Sequence, residues 1–287
     1  MTEARPPVRV VVATSTCLTP EEARGLGVTL VPMRVSVEGH DYRDVLDITP
    51  ADLYRLLRRH VLPTTAAPSI GDYVAAFDAA PGAVLCLTVG SRISAMDEAA
   101  RLAAEVSSGW PVEVVETGTA AGGMRLVTMA AAELAAAGAG LEELADRVRA
   151  ICERVEMAGM LETVEYLARS GRVPEVARWG SSVLRVRLVI RFRQGRGSLV
   201  TIVRSPLRGV AELQKLAHEV ARRQEAGPCG ERLVCTVFHG DAASLADELC
   251  SRLRRDLPRA SLSVSEMTAA MATHVGPGMV GMAAYVE

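Results

Sequence analysis

The stretch "VRVVVATSTCLTPEEARGLGVTLVPMRVSV" (8–37) contains a strand–helix–strand pattern. Residues 8–13 form a short Val-rich run, which is typical of a strand buried on both faces. After it, Thr19 and Glu22 have the spacing of a capping box, which marks the start of a helix. Residues 28–37 then predict a second strand. This order of elements favours an α/β fold with a mostly parallel sheet.

The same alternation continues to residue 156. The predicted elements are helices starting at the Thr-Pro pair 49–50 and after Ser69, strands at 82–90 and 112–116, and helices at 120–137 and 141–156.

The pattern changes after residue 157. The stretch 184–205 predicts two strands around a Gly-containing turn. In the first of them Val186, Leu188, Ile190 and Phe192 share one face, and Arg185, Arg187, Arg191 and Arg193 share the other. Such alternation indicates an antiparallel sheet with one solvated face. We therefore predict a two-lobed α/β protein: residues 1–157 hold the mostly parallel sheet with flanking helices, residues 158–287 hold a mixed or antiparallel sheet, and a ligand tunnel lies between the lobes.

The composition is that of a soluble globular protein. The chain has 287 residues, of which 49% are hydrophobic, 23% charged and only 3% aromatic, with a net charge of −2. The six cysteines form no CxxC pair and have no zinc-ligand spacing, so we expect free thiols and no metal. The sequence contains neither a signal peptide nor a run of about 20 apolar residues. These features predict a cytoplasmic protein with no affinity for nucleic acid.

Hydroxyl side chains follow several predicted strands. They are Ser15 and Thr16 after the first strand, Ser91 and Ser94 after 82–90, and Thr117 and Thr119 after 112–116. In open α/β sheets ligands bind at the carboxyl ends of strands, where hydroxyls and loop amides can hold an anion. The alternative is that they only cap helices.

Three further features have both a functional and a structural interpretation. Arg172 directly follows a helix-ending Gly171, where it can reach a carboxylate or phosphate or simply face solvent. The stretch "TTAAPS" (64–69) is interpreted as a loop. The arginine face of 185–193 has no interleaved aromatic residues, so a solvated or partner-binding face is favoured over nucleic-acid binding.

His274 has a distinctive setting in "HVGPG" (274–278). Gly276 and Gly278 permit unusual backbone angles and Pro277 fixes one between them, so the direction of the imidazole is set. The usual catalytic motifs are absent: "VGSRIS" is not a GxSxG elbow, and there is no P-loop, GxGxxG or HExxH.

Taken in chain order, these segments resemble the DegV family of fatty-acid-binding proteins, and the chain looks like a divergent member. The matching stretches are "VVVATSTCLTP", "VTLVPMRVSVEGHDYRD", "DITPADLY", "PTTAAPS", "LTVGSRIS", "VETGTAAGG", "LETVEYLARSGRV", "LRVRLVIRFRQGRG", "IVRSPLRG" and "THVGPG".

The resemblance implies a two-lobed protein that encloses one long-chain fatty acid and presents its carboxylate to a separate fatty-acid kinase. It further implies that Thr65 and Ser94 grip the carboxylate, supported by His274 and Arg172. The bound fatty acid would be the only ligand, with no cofactor, and transient membrane contact would accompany loading. Secondary candidates are Ser15, Thr16, Thr117, Arg204 (near the head-group opening), Gly276 and Gly278.

The chain departs from the family pattern around this site. The departures are Thr14 in place of Asp, Ala66 and Ala67 in place of Ser-Gln, Ala95 and Met96 in place of Gly-Thr, and Leu188 in place of Pro.

The leading hypothesis is a non-enzymatic lipid carrier for phospholipid metabolism. Burying about 15 methylenes at roughly 0.8 kcal/mol each supplies about 12 kcal/mol before association costs. Three alternatives stay open: an acyl hydrolase using Ser94 and His274, a nucleic-acid-binding or regulatory module using the arginine face, and a relative without a kinase that binds another amphiphile.

Overall fold

The computed structural model describes residues 7–172 and 186–287. Its elements, in chain order, are β1 (Arg9–Ala13), α1 (Pro20–Gly25), β2 (Val28–Val31), β3 (Arg34–Val37), β4 (His40–Arg43), α2 (Pro50–Arg58), β5 (Thr64–Ala66), α3 (Ile70–Asp78), β6 (Val84–Thr88), α4 (Met96–Val106), β7 (Val112–Glu116), α5 (Ala121–Ala136), α6 (Leu141–Arg154), β8 (Glu156–Leu161), α7 (Glu165–Ser170), β9 (Arg187–Arg193), β10 (Arg196–Val203), α8 (Pro206–Arg223), β11 (Leu233–Gly240), α9 (Ala243–Asp256), β12 (Ser261–Glu266), α10 (Ala269–Val275) and β13 (Met279–Val286).

The mixed α/β fold predicted from the sequence is confirmed. A four-stranded sheet in the order β2-β1-β6-β7 is parallel throughout. A six-stranded sheet in the order β10-β9-β8-β13-β11-β12 is antiparallel except for its β11–β12 pair. A small antiparallel sheet, β4-β3-β5, completes the structure. Residue 157, the predicted lobe boundary, lies within β8.

Local capping signals specify several helix starts correctly. Reciprocal capping boxes form at the starts of α1, α2 and α3, with the pairs Thr19/Glu22, Thr49/Asp52 and Ser69/Asp72. Each pair satisfies backbone N–H groups that a helix start would leave without a partner.

The prediction of one strand over 28–37 is wrong. The segment forms β2 in the parallel sheet and β3 in the small sheet, with Pro32 between them. Proline lacks the N–H that a continuous ladder requires. The next amide, on Met33, donates instead to Thr14 Oγ1 at 3.1 Å. The break therefore sends the chain from one sheet to another.

Helix α5 packs between the two large sheets. It contacts β1 on one side and β11 and β13 on the other, and most of its residues are buried. A helix that is apolar around its whole circumference belongs in a core. The largest apolar cluster accordingly includes side chains from both sheets.

The arginine face of β9 is not the solvated face that the alternation predicted. Val189 on that face is fully buried, and α8 packs against the strand. Arg187 pairs with Glu162 at 2.6 Å, and Arg191 pairs with Glu219 at 2.7 Å. The methylene chain of an arginine can lie along an apolar surface while its guanidinium pairs with a carboxylate at the border of that surface. Arg185 lies outside the described residues.

The turn between β9 and β10 contacts the loops of the parallel sheet. Gly195 N donates to Gly118 O at 2.7 Å. A Cβ atom added to Gly90 would lie 3.3 Å from Gly195 Cα, and one added to Gly118 would lie 3.2 Å from Gln194 Cα. We call this contact the hairpin clasp. Glycine at 90 and 118 permits the close backbone approach that forms it.

Candidate functional site

An apolar cavity lies between the two large sheets, with β5 and α10 at one side. It holds about 960 Å³ not occupied by protein atoms, counting the part that opens to solvent. The lining residues are Ser15, Met33, Thr65, Ala67, Val89, Ile93, Ser94, Met96, Ala120, Ala121, Met157, Ala158, Gly159, Leu161, Leu167, Arg172, Ile190, Phe192, Phe238, Met267, Met271, His274, Val275 and Met279.

In the part of the chain that the structure describes, five lining side chains are polar. They are Ser15, Thr65, Ser94, Arg172 and His274, and the other described lining residues are apolar. The four residues predicted to hold a carboxylate thus lie around one cavity, together with Ser15. An apolar wall with a few convergent polar groups can take a long apolar ligand with one polar end.

Thr65 and His274 are in direct contact. A hydrogen bond of 2.9 Å joins Thr65 Oγ1 to His274 Nε2, across 209 residues of sequence. Thr65 lies in β5, where it pairs with Val35 of β3. The segment 64–66 is therefore a strand and not the loop that its composition indicated, and strand pairing fixes the direction of the Thr65 hydroxyl.

His274 occupies the last turn of α10, a helix not predicted from the sequence. Thr268 caps the start of the helix, and the fully buried Asp44 accepts a 3.1 Å hydrogen bond from Ala270 N. Burial raises the pKa of the Asp44 carboxyl, while the hydroxyls of Thr14 and Thr268 oppose that rise. This anchoring holds α10 in a defined position and so determines where the imidazole lies.

Gly276 ends α10 in a conformation that only glycine adopts readily. Its φ of 73° and ψ of 179° are in a region that is essentially restricted to glycine. The ring of Tyr166 also occupies the space a side chain would need, since its Cδ2 atom lies 2.1 Å from the site of an added Cβ. Gly276 therefore serves the geometry of the corner and does not line the cavity.

The imidazole of His274 is neutral at pH 7. Burial, reinforced by the positive charge of Arg172, lowers its pKa from 6.5 to about 4. Its Nδ1 atom is buried and has no hydrogen-bond partner among the described residues. A neutral ring with one free nitrogen can still exchange hydrogen bonds with a ligand head group.

Ser94 and Arg172 lie towards the more exposed end of the cavity. Ser94 is partly buried, and its Oγ accepts a hydrogen bond from Met96 N at 3.3 Å. Arg172 is exposed and donates to Ser170 O at 2.8 Å, which leaves donors of its guanidinium available to an anion. The Ser15 hydroxyl lies deeper and donates to Met124 Sδ at 3.2 Å.

The other secondary candidates have structural contacts away from the lining. Thr16 Oγ1 bonds Thr128 Oγ1 at 3.2 Å, and Thr117 Oγ1 donates to Thr88 O at 2.9 Å. Arg204 accepts a hydrogen bond from Arg187 on its carbonyl oxygen. Gly278 lies close to the Glu162 side chain.

Sequence reasoning missed two parts of the site. One is the anchoring of α10 by Asp44, which depends on a contact across 226 residues. The other is the set of six methionines in the wall, which come from separate elements and follow no common spacing. Methionines without periodicity are indistinguishable in sequence from ordinary core residues.

Within the described residues, no helix combines the length and apolarity needed to cross a bilayer. Among residues 7–172 and 186–287, no three His, Cys, Asp or Glu side chains lie close enough together to hold a metal ion.

The chain matches known proteins along almost its whole length. A family model described as an uncharacterised protein family, DegV, matches residues 7–287. A DegV domain-containing protein of Deinococcus radiodurans is 28% identical over 283 residues, which cover 96% of this chain and 97% of the relative.

Solved structures agree with the fold. A DegV family protein from Thermus thermophilus, described for its fatty acid binding, is 25% identical with a TM-score of 0.89, covering 98% of this chain and all of that one. A stearic acid-binding protein from Eubacterium ventriosum is 20% identical with a TM-score of 0.88, covering 96% and 97%, and at that identity it supports the fold alone. Family model, relatives and architecture agree, and this chain belongs to the DegV family.

Proposed function

We propose that this protein binds one long-chain fatty acid in the cavity, with the acyl chain along the apolar wall and the carboxylate beside Thr65, Ser94, His274 and Arg172. The observation that carries the proposal is the Thr65–His274 hydrogen bond at the edge of an otherwise apolar cavity. A buried carboxylate requires hydrogen-bond donors, since otherwise it tends to protonate. The fatty acid binding described for the Thermus thermophilus relative involves a ligand of the same chemistry.

The charge around the head group favours an anion. Among residues 7–172 and 186–287, Arg172 is the one charged side chain that lines the cavity, and it is positive. Hydrogen bonds in which one partner is charged are roughly twice as strong as neutral ones. A fatty acid is therefore favoured over a neutral lipid of the same length.

A carrier agrees better with the geometry than a hydrolase does. His274 Nε2 bonds Thr65 and not Ser94, and Ser94 Oγ accepts from a backbone amide. Within the described residues, no carboxylate bonds His274 Nδ1, as the orienting acid of a triad would. Nucleic-acid binding is disfavoured because Arg187 and Arg191 are already paired with glutamates.

The finer part of the proposal is delivery of the carboxylate to a separate kinase. It is supported by the exposure of Arg172, which contrasts with the burial of the deeper wall. An ATP-dependent conversion of bound acid to an acyl hydroxamate, trapped with hydroxylamine in a cell extract, tests this step. If the hydroxamate forms equally without this protein, a carrier role for a kinase is excluded.

The primary test is analysis of the bound lipid. Purified protein is denatured, extracted and analysed by mass spectrometry, before and after incubation with long-chain fatty acids. We expect about one acyl chain for each protein molecule. Protein that carries no fatty acid after incubation contradicts the proposal, and turnover of acyl esters would favour the hydrolase.

A further inference from the structure

The cavity wall is unusually rich in methionine. Six of the 24 lining residues are methionine, whereas the whole chain contains 11 in 287 residues. They are Met33, Met96, Met157, Met267, Met271 and Met279. Two of them lie in loops, two in the helices α4 and α10, and two in the strands β8 and β13 of the six-stranded sheet, so they come from separate parts of the fold.

Methionine side chains make a cavity wall more adaptable in shape than leucine or valine side chains do. Its side chain is unbranched, has three rotatable bonds and ends in a polarizable thioether, so it fills irregular gaps and changes rotamer readily. Surfaces that accept many partners use such side chains because they can re-pack around each one. The described part of this wall contains two rigid aromatic groups, Phe192 and Phe238.

The contacts at the ends of two of these side chains restrain them weakly. Met279 Cε lies above Gly159, only 2.7 Å from the position where a Cβ would stand. The absence of a side chain at Gly159 provides the room that the methyl group occupies. Met96 Sδ lies 4.0 Å from Ser15 Oγ, a distance at which a hydroxyl–thioether contact is weak.

We propose that the methionine wall makes this site tolerant of acyl shape, so that it binds straight, cis-unsaturated and methyl-branched fatty acids with similar affinity. The inference rests on the proposed function and deepens it. A kink or a branch demands local widening of the cavity, and six adjustable side chains distribute that change. In contrast, a wall of branched residues with restricted rotamers would favour one shape.

The test compares affinities for three acids of equal length: a straight saturated, a cis-monounsaturated and a methyl-branched one. Each acid displaces a fluorescent fatty acid from the wild-type protein. We expect the three dissociation constants to agree within about fivefold, because re-packing compensates for differences in shape. A spread of more than about tenfold in the wild type overturns the proposal.

A second arm replaces Met157, Met271 and Met279 together by leucine. Exchange of Met for Leu conserves volume and is among the best-tolerated core changes, so we expect the fold to be kept. The spread of affinities is expected to widen by about tenfold, since branched side chains re-pack less freely. The three single substitutions replace the triple variant if it does not fold.

The matched control replaces Met160 and Met282 by leucine. Both are buried in a separate apolar cluster, and neither lines the cavity. This control is expected to keep the wild-type spread. An unchanged spread in the cavity variant, or an equal widening in the control, contradicts the inference. If the wild-type protein binds none of the three acids, the proposed function itself fails, which is a distinguishable result.

Discussion

At the level of single residues, the proposed head-group site contains an imidazole of which one nitrogen has a hydrogen-bond partner. His274 Nε2 bonds the Thr65 hydroxyl, and Nδ1 is buried without a partner in the described chain. A buried polar atom without a partner costs free energy that a ligand can recover. The pair is therefore already arranged for a ligand before one arrives, which reduces the ordering cost of binding.

Thr65→Val tests the hydroxyl directly. Valine keeps the shape of threonine but cannot donate to a carboxylate. Loss of one hydrogen bond to a charged group costs about 1.5–3 kcal/mol, or roughly 10- to 150-fold in affinity. Isothermal titration with a fatty acid measures this loss. Thr64→Val is the matched control, because Thr64 is the exposed neighbour in the same strand and does not line the cavity; equal losses in both variants would remove Thr65 from the site.

His274 also makes stability depend on pH. Its pKa is lowered to about 4 in the folded protein, against 6.5 for an unperturbed histidine, so between these values the unfolded chain binds a proton that the folded protein does not. The free energy of unfolding therefore decreases as the pH falls from 6.5 towards 4, by roughly 2 kcal/mol between pH 7 and about pH 4.5.

Urea unfolding of wild type and His274→Gln at both pH values measures this contribution. The variant is expected to lose less stability on acidification than the wild type, by the amount given above. His40→Gln, at an exposed position, is the control and should follow the wild type. If His274→Gln follows the wild type as well, the ring is not buried in its neutral form.

The four residues proposed to hold the carboxylate could be named from the sequence, whereas the apolar wall of the cavity could not. Thr65, Ser94, Arg172 and His274 occur in ordered motifs, and the cavity collects all four. Asp44 and the methionines carry no local signal, because their importance comes from contacts across long stretches of chain. Sequence patterns report local periodicity and turn chemistry, and not which core side chains border a cavity.

At the level of elements, α10 holds two of the cavity-lining residues in position. Thr268 caps its first turn and Asp44 accepts a hydrogen bond from that turn. Met271 and His274 of the helix line the cavity, and Gly276 ends the helix. The sequence identified the glycine corner but not the helix before it. Seven residues are too few for a clear helical period, and tertiary anchoring supplies the stability that such a short helix lacks.

Gly276→Ala is expected to destabilise the protein strongly. The added methyl group would force an unfavourable backbone conformation and collide with the Tyr166 ring. We expect a loss of at least about 3 kcal/mol in the free energy of unfolding, measured by urea denaturation. Gly27→Ala measures the cost of a positive φ without a collision, because Gly27 has a φ of 67° and open space around it.

For Gly27→Ala only the backbone cost of about 1–2 kcal/mol is expected. Tyr166→Ala combined with Gly276→Ala should recover part of the difference, since it removes the collision. Equal effects of the two glycine substitutions would mean that the Tyr166 contact does not restrict the corner.

Strand boundaries show where local patterns fail. Residues 28–37 alternate well enough for one strand, but Pro32 divides them between two sheets. The arginine face of β9 likewise fits a solvated face, yet α8 covers it because Glu162 and Glu219 neutralise Arg187 and Arg191. In the first case a proline inside the segment overrides the alternation, and in the second case carboxylates distant in sequence decide the outcome.

At the level of the whole molecule, the hairpin clasp closes one side of the cavity. The inner face of β9 contributes Ile190 and Phe192 to the lining, while the turn beyond it rests on Gly90 and Gly118. A single backbone hydrogen bond and close packing hold this contact. Contacts with few buried apolar side chains are among the first to open.

Gly90→Val is expected to loosen the clasp, because its side chain would push against Gly195. The ligand should then dissociate faster, by about tenfold if opening costs 1.4 kcal/mol less. Transfer of a fluorescent fatty acid to lipid vesicles, followed in a stopped-flow instrument, measures the rate. Gly140→Val is the control, since Gly140 has open surroundings. An unchanged rate in Gly90→Val would indicate that the acyl chain leaves by another route.

The position of β13 determines when this protein can become functional during synthesis. Residues 279–286 form a fully buried strand between β8 and β11. A nascent chain that has not reached residue 279 leaves both neighbouring strands with open edges, which are prone to associate with other chains. His274 precedes this strand by only five residues. The last strand of the second sheet and the imidazole of the proposed head-group site therefore become available at nearly the same stage of synthesis.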